Sequence, residues 1–179
     1  MKIMKTKILL LLTVITFLTA CESNENENIN VTTDDIVGVW NATGFTLDSD
    51  ASITHKGITI NYNINSFGKD FDFVYTFSEN PNEVSAIGSY TSVTTTTITG
   101  QPVDVQELSI SSLNGLDSGT WSLINSNTIT FTDSGVINTA EIVEFTGTKI
   151  VLKGSIDETQ NLNGDSVNIS GEIFLTLEK

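Results

Sequence analysis

From Asp35 onward the chain alternates, and this pattern limits its fold more than any other feature. Ile58, Ile60, Tyr62 and Ile64 occupy every second position, with Thr59, Asn61 and Asn63 between them. Phe71, Phe73, Tyr75 and Phe77 alternate with Asp70, Asp72, Val74 and Thr76. Ile129 and Phe131 sit among Thr128, Thr130 and Thr132, and Ile169, Ile173, Leu175 and Leu177 share a face near the end. Successive side chains of a strand point to opposite faces. A period of two therefore marks half-buried antiparallel strands, and no segment sustains the helical period. The Ile and Thr content supports the same structure.

Turn residues punctuate the pattern. They fall at Asp48-Ser49-Asp50, Ser66-Phe67-Gly68, Asn80-Pro81-Asn82 and Thr99-Gly100-Gln101-Pro102, then at Asn125-Ser126-Asn127, Asp133-Ser134-Gly135, Thr146-Gly147 and Asn161 to Asp165. About eight to ten short strands are expected, arranged as a barrel or a sandwich. Ile58–Ile64 and Phe71–Phe77 read as separate strands that could be neighbours. Asp34 to Val37 reads as one short helical turn before the first strand. The polar faces are too acidic to meet lipid, which excludes a membrane-spanning barrel.

The N-terminus carries a different signal. Lys2, Lys5 and Lys7 precede an apolar run from Ile8 to Ala20, closed by Leu18-Thr19-Ala20-Cys21. A basic start, a short apolar middle and small residues before a cleavage point mark a secretory signal, and the run is too short to span a bilayer comfortably. Leu-Thr-Ala-Cys resembles the bacterial lipoprotein lipobox. That resemblance implies that residues 1–20 are removed, that Cys21 is acylated, and that the protein is anchored to the outer membrane, on its periplasmic or cell-surface side. Cys21 is the only cysteine in the chain, so no internal disulfide can form.

Removing residues 1–20 leaves 159 residues, about one domain, and takes the formal charge from -14 to -17 because Lys2, Lys5 and Lys7 go with them. No arginine occurs. Nucleic acid and anionic headgroups need a basic footprint, and phosphate recognition usually relies on arginine, so these partners are excluded. Glu22 to Asn30 alternates acids with amides around a single apolar residue and cannot bury enough surface to fold. Residues 21–35 are read as a lipid-anchored acidic tether and residues 36–179 as the folded domain.

Two tryptophans share a local frame. Gly38-Val39-Trp40 opens the first strand, and Gly119-Thr120-Trp121 opens a later hairpin. With the Thr148–Lys153 strand and a final apolar strand, the stretch from Ile36 to Lys179 resembles the lipocalin-like domains of Bacteroidetes lipoproteins. The resemblance implies an all-β, antiparallel up-and-down barrel of a kind that can enclose a central cavity. In both frames the glycine lets the backbone turn into the strand and the indole covers the end of the core, so Trp40 and Trp121 are read as structural. Lipocalins pack a late arginine against the first tryptophan. Without one, that closure is either absent or replaced by Lys179 or Lys153.

Signals for chemistry are sparse. His55 is the single histidine, among polar neighbours, and is read as an exposed strand residue. One histidine and a lipidated cysteine cannot build a zinc site or a triad. Asp48-x-Asp50 and Asp157-Glu158 lack the spacing of a calcium loop and read as solvated acids. Thr94 to Thr97 reads as a solvent-facing edge strand. No catalytic residue, metal or cofactor is assigned. The aromatic stripe is either plain core or the wall of an apolar calyx. Tyr62, Phe71, Phe73, Tyr75 and Phe77 are the cavity candidates. The expected function is non-enzymatic: a monomeric, lipid-anchored protein that binds a small apolar ligand or acts as a scaffold at the outer membrane. The alternative is a sugar- or protein-binding β-sandwich module at the cell surface.

Overall fold

The computed structural model describes residues 29–113, 116–162 and 165–179. The signal segment, Cys21 and most of the acidic tether lie outside them. One helical turn, α1 (Thr33–Ile36), leads into nine strands: β1 (Gly38–His55), β2 (Ile58–Ser78), β3 (Glu83–Ile98), β4 (Asp104–Ile110), β5 (Ser118–Asn125), β6 (Thr128–Asp133), β7 (Val136–Phe145), β8 (Lys149–Leu162) and β9 (Asp165–Glu178). All pairings are antiparallel. The alternation therefore predicted the fold class correctly.

The ring runs β1-β2-β3-β5-β6-β7-β8-β9 and returns to β1. The strand left out, β4, shows where the order departs from a plain up-and-down barrel. The lower end of β3 pairs with β5 (Glu83 opposite Thr120) and its upper end with β4 (Tyr90 opposite Ile110). β1, β2, β3, β8 and β9 span 14 to 21 residues, whereas β5, β6 and β7 span 6 to 10. One wall thus outgrows the other. The base is a closed barrel, and above it stands an open sheet in the order β4-β3-β2-β1-β9-β8.

Several expectations change. Ile58–Ile64 and Phe71–Phe77 are not neighbouring strands but one 21-residue strand, β2, and Ser66-Phe67-Gly68 lies inside it. The cause is a bulge. Lys69 lies opposite Thr91 and Asp72 opposite Ser89, so three steps on β2 match two on β3. The bulge holds Asp70 at φ 53°. One extra residue reverses the side-chain phase, so even-numbered Ile64 and odd-numbered Phe73 both face inward. Gly88 sits beside the bulge at φ 105°, where a Cβ would lie 1.6 Å from the Asp72 carbonyl oxygen. Asp48-Ser49-Asp50 is likewise not a turn but part of β1. Thr94 to Thr96 are not on an edge, because β3 is flanked there by both β2 and β4, and only Thr97 lies beyond the β4 pairing. The real β1–β2 turn is Lys56-Gly57, with φ 49° and 83°, the two positive angles that a tight hairpin turn requires.

The base is closed by both tryptophans, as the Gly-x-Trp frames imply. Trp40 is fully buried and its Nε1–H donates to the Ile36 carbonyl at 2.7 Å. Lys179 places its Nζ 4.5 Å from the Trp40 ring centroid and donates to the Asp35 carbonyl at 3.1 Å. Of the two lysines considered, Lys179 covers the tryptophan, while Lys153 lies over Phe174. Trp121 Nε1–H donates to the Ser78 carbonyl, and its ring meets Phe77 edge-on at 5.7 Å. The folded unit also begins before Ile36. Val31 is buried, and its N–H donates to the Ser126 carbonyl at 2.9 Å. Thr32 caps α1 by donating its N–H and hydroxyl to the Asp35 carboxylate. Residues 31–35, expected as tether, are part of the packed base.

Candidate functional site

The inward side of β2 builds a column of rings along the barrel. Phe73, Tyr75 and Phe77 are each at most 2% exposed. Phe73 meets Tyr75 edge-on at 5.3 Å, and Tyr75 stacks on Phe77 at 6.2 Å. Half-buried Phe71 stacks on Tyr90 at 5.2 Å, and Phe45 approaches the same ring from β1. The structure thus brings Phe71, Phe73, Tyr75 and Phe77 together as packed rings. Tyr62 is not among them. It lies further up β2, opposite Ala51 and Ile98, on the open sheet.

One polar atom is out of keeping with this column. The Tyr75 hydroxyl is buried and has no hydrogen-bond partner among the described residues. An unsatisfied buried hydroxyl costs about 1–3 kcal/mol, so such groups are uncommon in folded proteins. Burial, chiefly, and then the negative charge of Asp117 and the neighbouring Tyr90, push its pKa far above the ordinary tyrosine range. Burial raises the Tyr90 hydroxyl to about 12. At neutral pH both hydroxyls keep their protons and can donate.

Asp117 belongs to the segment linking β4 to β5, which folds down onto the core. The Asp117 carbonyl accepts from the Ala86 N–H at 2.8 Å. Its Oδ2 accepts from the Leu113 N–H at 2.7 Å. Leu113 and Leu116 pack against the aromatic core. Sequence patterns gave no hint of Asp117. An isolated acid in a connecting segment has no period or motif, and only the fold brings it near Tyr75.

A cleft opens on another wall of the barrel. β7 and β8 pair only from Glu141/Lys153 down to Phe145/Ile150. Above that point they part around a 690 Å³ cleft of mixed character, where Ile137, Ile156, Ile173 and, from the linking segment, Leu116 meet the charged Glu141, Lys153, Asp157 and Glu158. That volume is in the range of small-molecule sites. Lys153 at the cleft is paired with Glu172.

The remaining candidates lie elsewhere. His55 ends β1 and contacts Asp165 at the start of β9, with a mostly exposed ring. Among the described residues, no three His, Cys, Asp or Glu side chains converge as a metal site. No helix among them is long and apolar enough to cross a membrane. A scan of protein-family models, a search of curated proteins and a search of solved structures found no match.

Proposed function

We propose that this chain is a lipid-anchored, lipocalin-like binding protein of the outer membrane. Its barrel would hold a small, mainly apolar, uncharged molecule carrying one acceptor such as a carbonyl. The Tyr75 hydroxyl carries this reading: it is a protonated donor in an aromatic wall with no partner of its own. An acceptor on the ligand would satisfy it and offset the cost of burying it bare. Leu116 belongs both to the lining of the β7–β8 cleft and to the shell of partly buried residues packed on the core, so the cleft lies near the interior. Asp117 beside Tyr75 and the formal charge of -17 on the mature chain disfavour anions at this position. The anchor rests on Leu18-Thr19-Ala20-Cys21.

The test uses Nile red, an uncharged dye with a carbonyl acceptor. The folded mature protein should bind it with a Kd in the micromolar range, roughly -8 kcal/mol. Tyr75→Phe should weaken binding about tenfold without lowering the melting temperature, since it removes an unpaired hydroxyl and little packing. No uptake by the well-folded protein, or equal uptake by Tyr75→Phe, would sink the proposal. For the anchor, Cys21→Ser should block incorporation of labelled palmitate in cells. Continued labelling would refute it.

A further inference from the structure

The outward face of the open sheet has an unusual composition. Register places Asp157, Ser170, Asp50 and Asn63 side by side across β8, β9, β1 and β2. The next rung is Thr159, Asn168, Ser52 and Asn61. An ordinary solvent face mixes long lysine and glutamate side chains of both signs. These rungs hold no lysine, no aliphatic residue and no side chain longer than asparagine. The rung beyond them, Asn161, Ser166, Thr54 and Thr59, continues in the same way.

The side chains are also held in place. Asn63 donates to Asp50 at 3.3 Å, Asn168 donates to Ser52 at 3.4 Å, and Thr159 donates to Asn168 at 2.8 Å. Independently of these bonds, the surface is concave here. A groove of 400 Å³ runs across the four strands between the two rungs. Strands lie about 4.8 Å apart, so the groove is roughly 14 Å long. A molecule lying in it would meet polar groups on both sides at each strand.

The chemistry selects the occupant. Ala51, Tyr62 and Ile169 also line the groove between the rungs, but neither rung carries an apolar side chain, so an apolar peptide or acyl chain would leave the polar groups on both sides unpaired. Two aspartates without a lysine repel polyanions. A polycation would need carboxylates alone, yet six of these eight positions are neutral amides or hydroxyls offering both donors and acceptors. We infer that this groove binds an uncharged, hydroxyl-rich chain: a neutral polysaccharide lying across β8, β9, β1 and β2. The short side chains lose little rotamer freedom on contact, which favours binding. This site lies on the opposite face of the sheet from the barrel interior and does not depend on the ligand proposed there.

Affinity electrophoresis of the mature protein in gels containing dextran or hydroxyethyl cellulose tests the inference, with polylysine and polygalacturonate as charged probes. Retardation by at least one neutral polymer is expected. The triple variant Ser52→Ala, Asn61→Ala, Asn168→Ala should bind about tenfold more weakly at an unchanged melting temperature. Its Nile red uptake should match that of the parent, which separates this site from the interior one. If the triple variant melts early, Asn168→Lys alone, on an exposed position of β9, should give the same loss. No retardation by either neutral polymer, retardation unchanged in the folded variants, or binding confined to polylysine or polygalacturonate would each overturn the inference.

Discussion

The closed base and the open half are built from the same alternating pattern and reach opposite ends. In the base, Ile129 and Ile142 are at most 1% exposed. On the open sheet, Ile58 and Ile60 are 70% and 45% exposed, although they alternate just as regularly. What differs is the facing wall. Below, β5, β6 and β7 stand opposite β1, β2 and β9 and the inward side chains interlock. Above, those three strands have ended and the apolar face has nothing across from it. Alternation assigns a side chain to a face, and only the presence of a second layer turns that face into a core.

This contrast should appear first in stability. Trp40→Ala empties the fully buried base position and removes the ring under Lys179, so a loss of about 3–5 kcal/mol is expected in denaturant unfolding. A midpoint within error of the parent would mean that the base is not the stabilising region.

Alkaline titration is the intermediate test. Tyr90 has a folded-state pKa of about 12 against an ordinary value of 10. A raised pKa stabilises the fold fully below pH 10, and that contribution falls as the pH climbs from 10 toward 12. Tyr75, shifted further in the same direction, extends the loss to higher pH. Stability should therefore fall steadily above pH 10, and Tyr90→Phe should flatten the early part of the decline. An unchanged slope in that variant would show that Tyr90 does not couple to folding.

The smallest effect belongs to the open half. Ile60→Thr keeps β propensity and removes only half-exposed surface, so the change should stay within about 1 kcal/mol. A loss comparable to that of Trp40→Ala would show that something covers the upper face and would break the comparison.

Much of this architecture was legible in local residues. Gly38-Val39-Trp40 and Gly119-Thr120-Trp121 marked strand starts correctly, because a glycine followed by a core indole acts over a few residues. At Gly119, φ 96° and a Thr132 carbonyl oxygen that would lie 2.2 Å from any Cβ explain the glycine. The bulge at Asp70 could not be told from a turn. Both reverse the phase of the alternation, and Ser66-Phe67-Gly68 supplied turn-like residues at the wrong place. The partner change along β3, from β5 to β4, left Thr94 to Thr97 looking like an edge. Long-range pairing decides such points, and no short window contains it. The candidate interior site was half visible. The aromatic stripe announced itself by period, whereas Asp117 and the bare hydroxyl of Tyr75 exist only after the segment between β4 and β5 has folded over the barrel.

The pairing of β9 with both β1 and β8 also bears on when the protein can fold. Gly44 opposite Thr176 and Asn41 opposite Glu178 join residues more than a hundred positions apart. Until the last strand is available, β1 and β8 each lack a neighbour, the ring cannot close, and Trp40 cannot be sealed. Such distant contacts make folding slow and late in synthesis. Its topology keeps the barrel open until residues 165–179 have been made, so the seal around Trp40 is among the last features of the molecule to form.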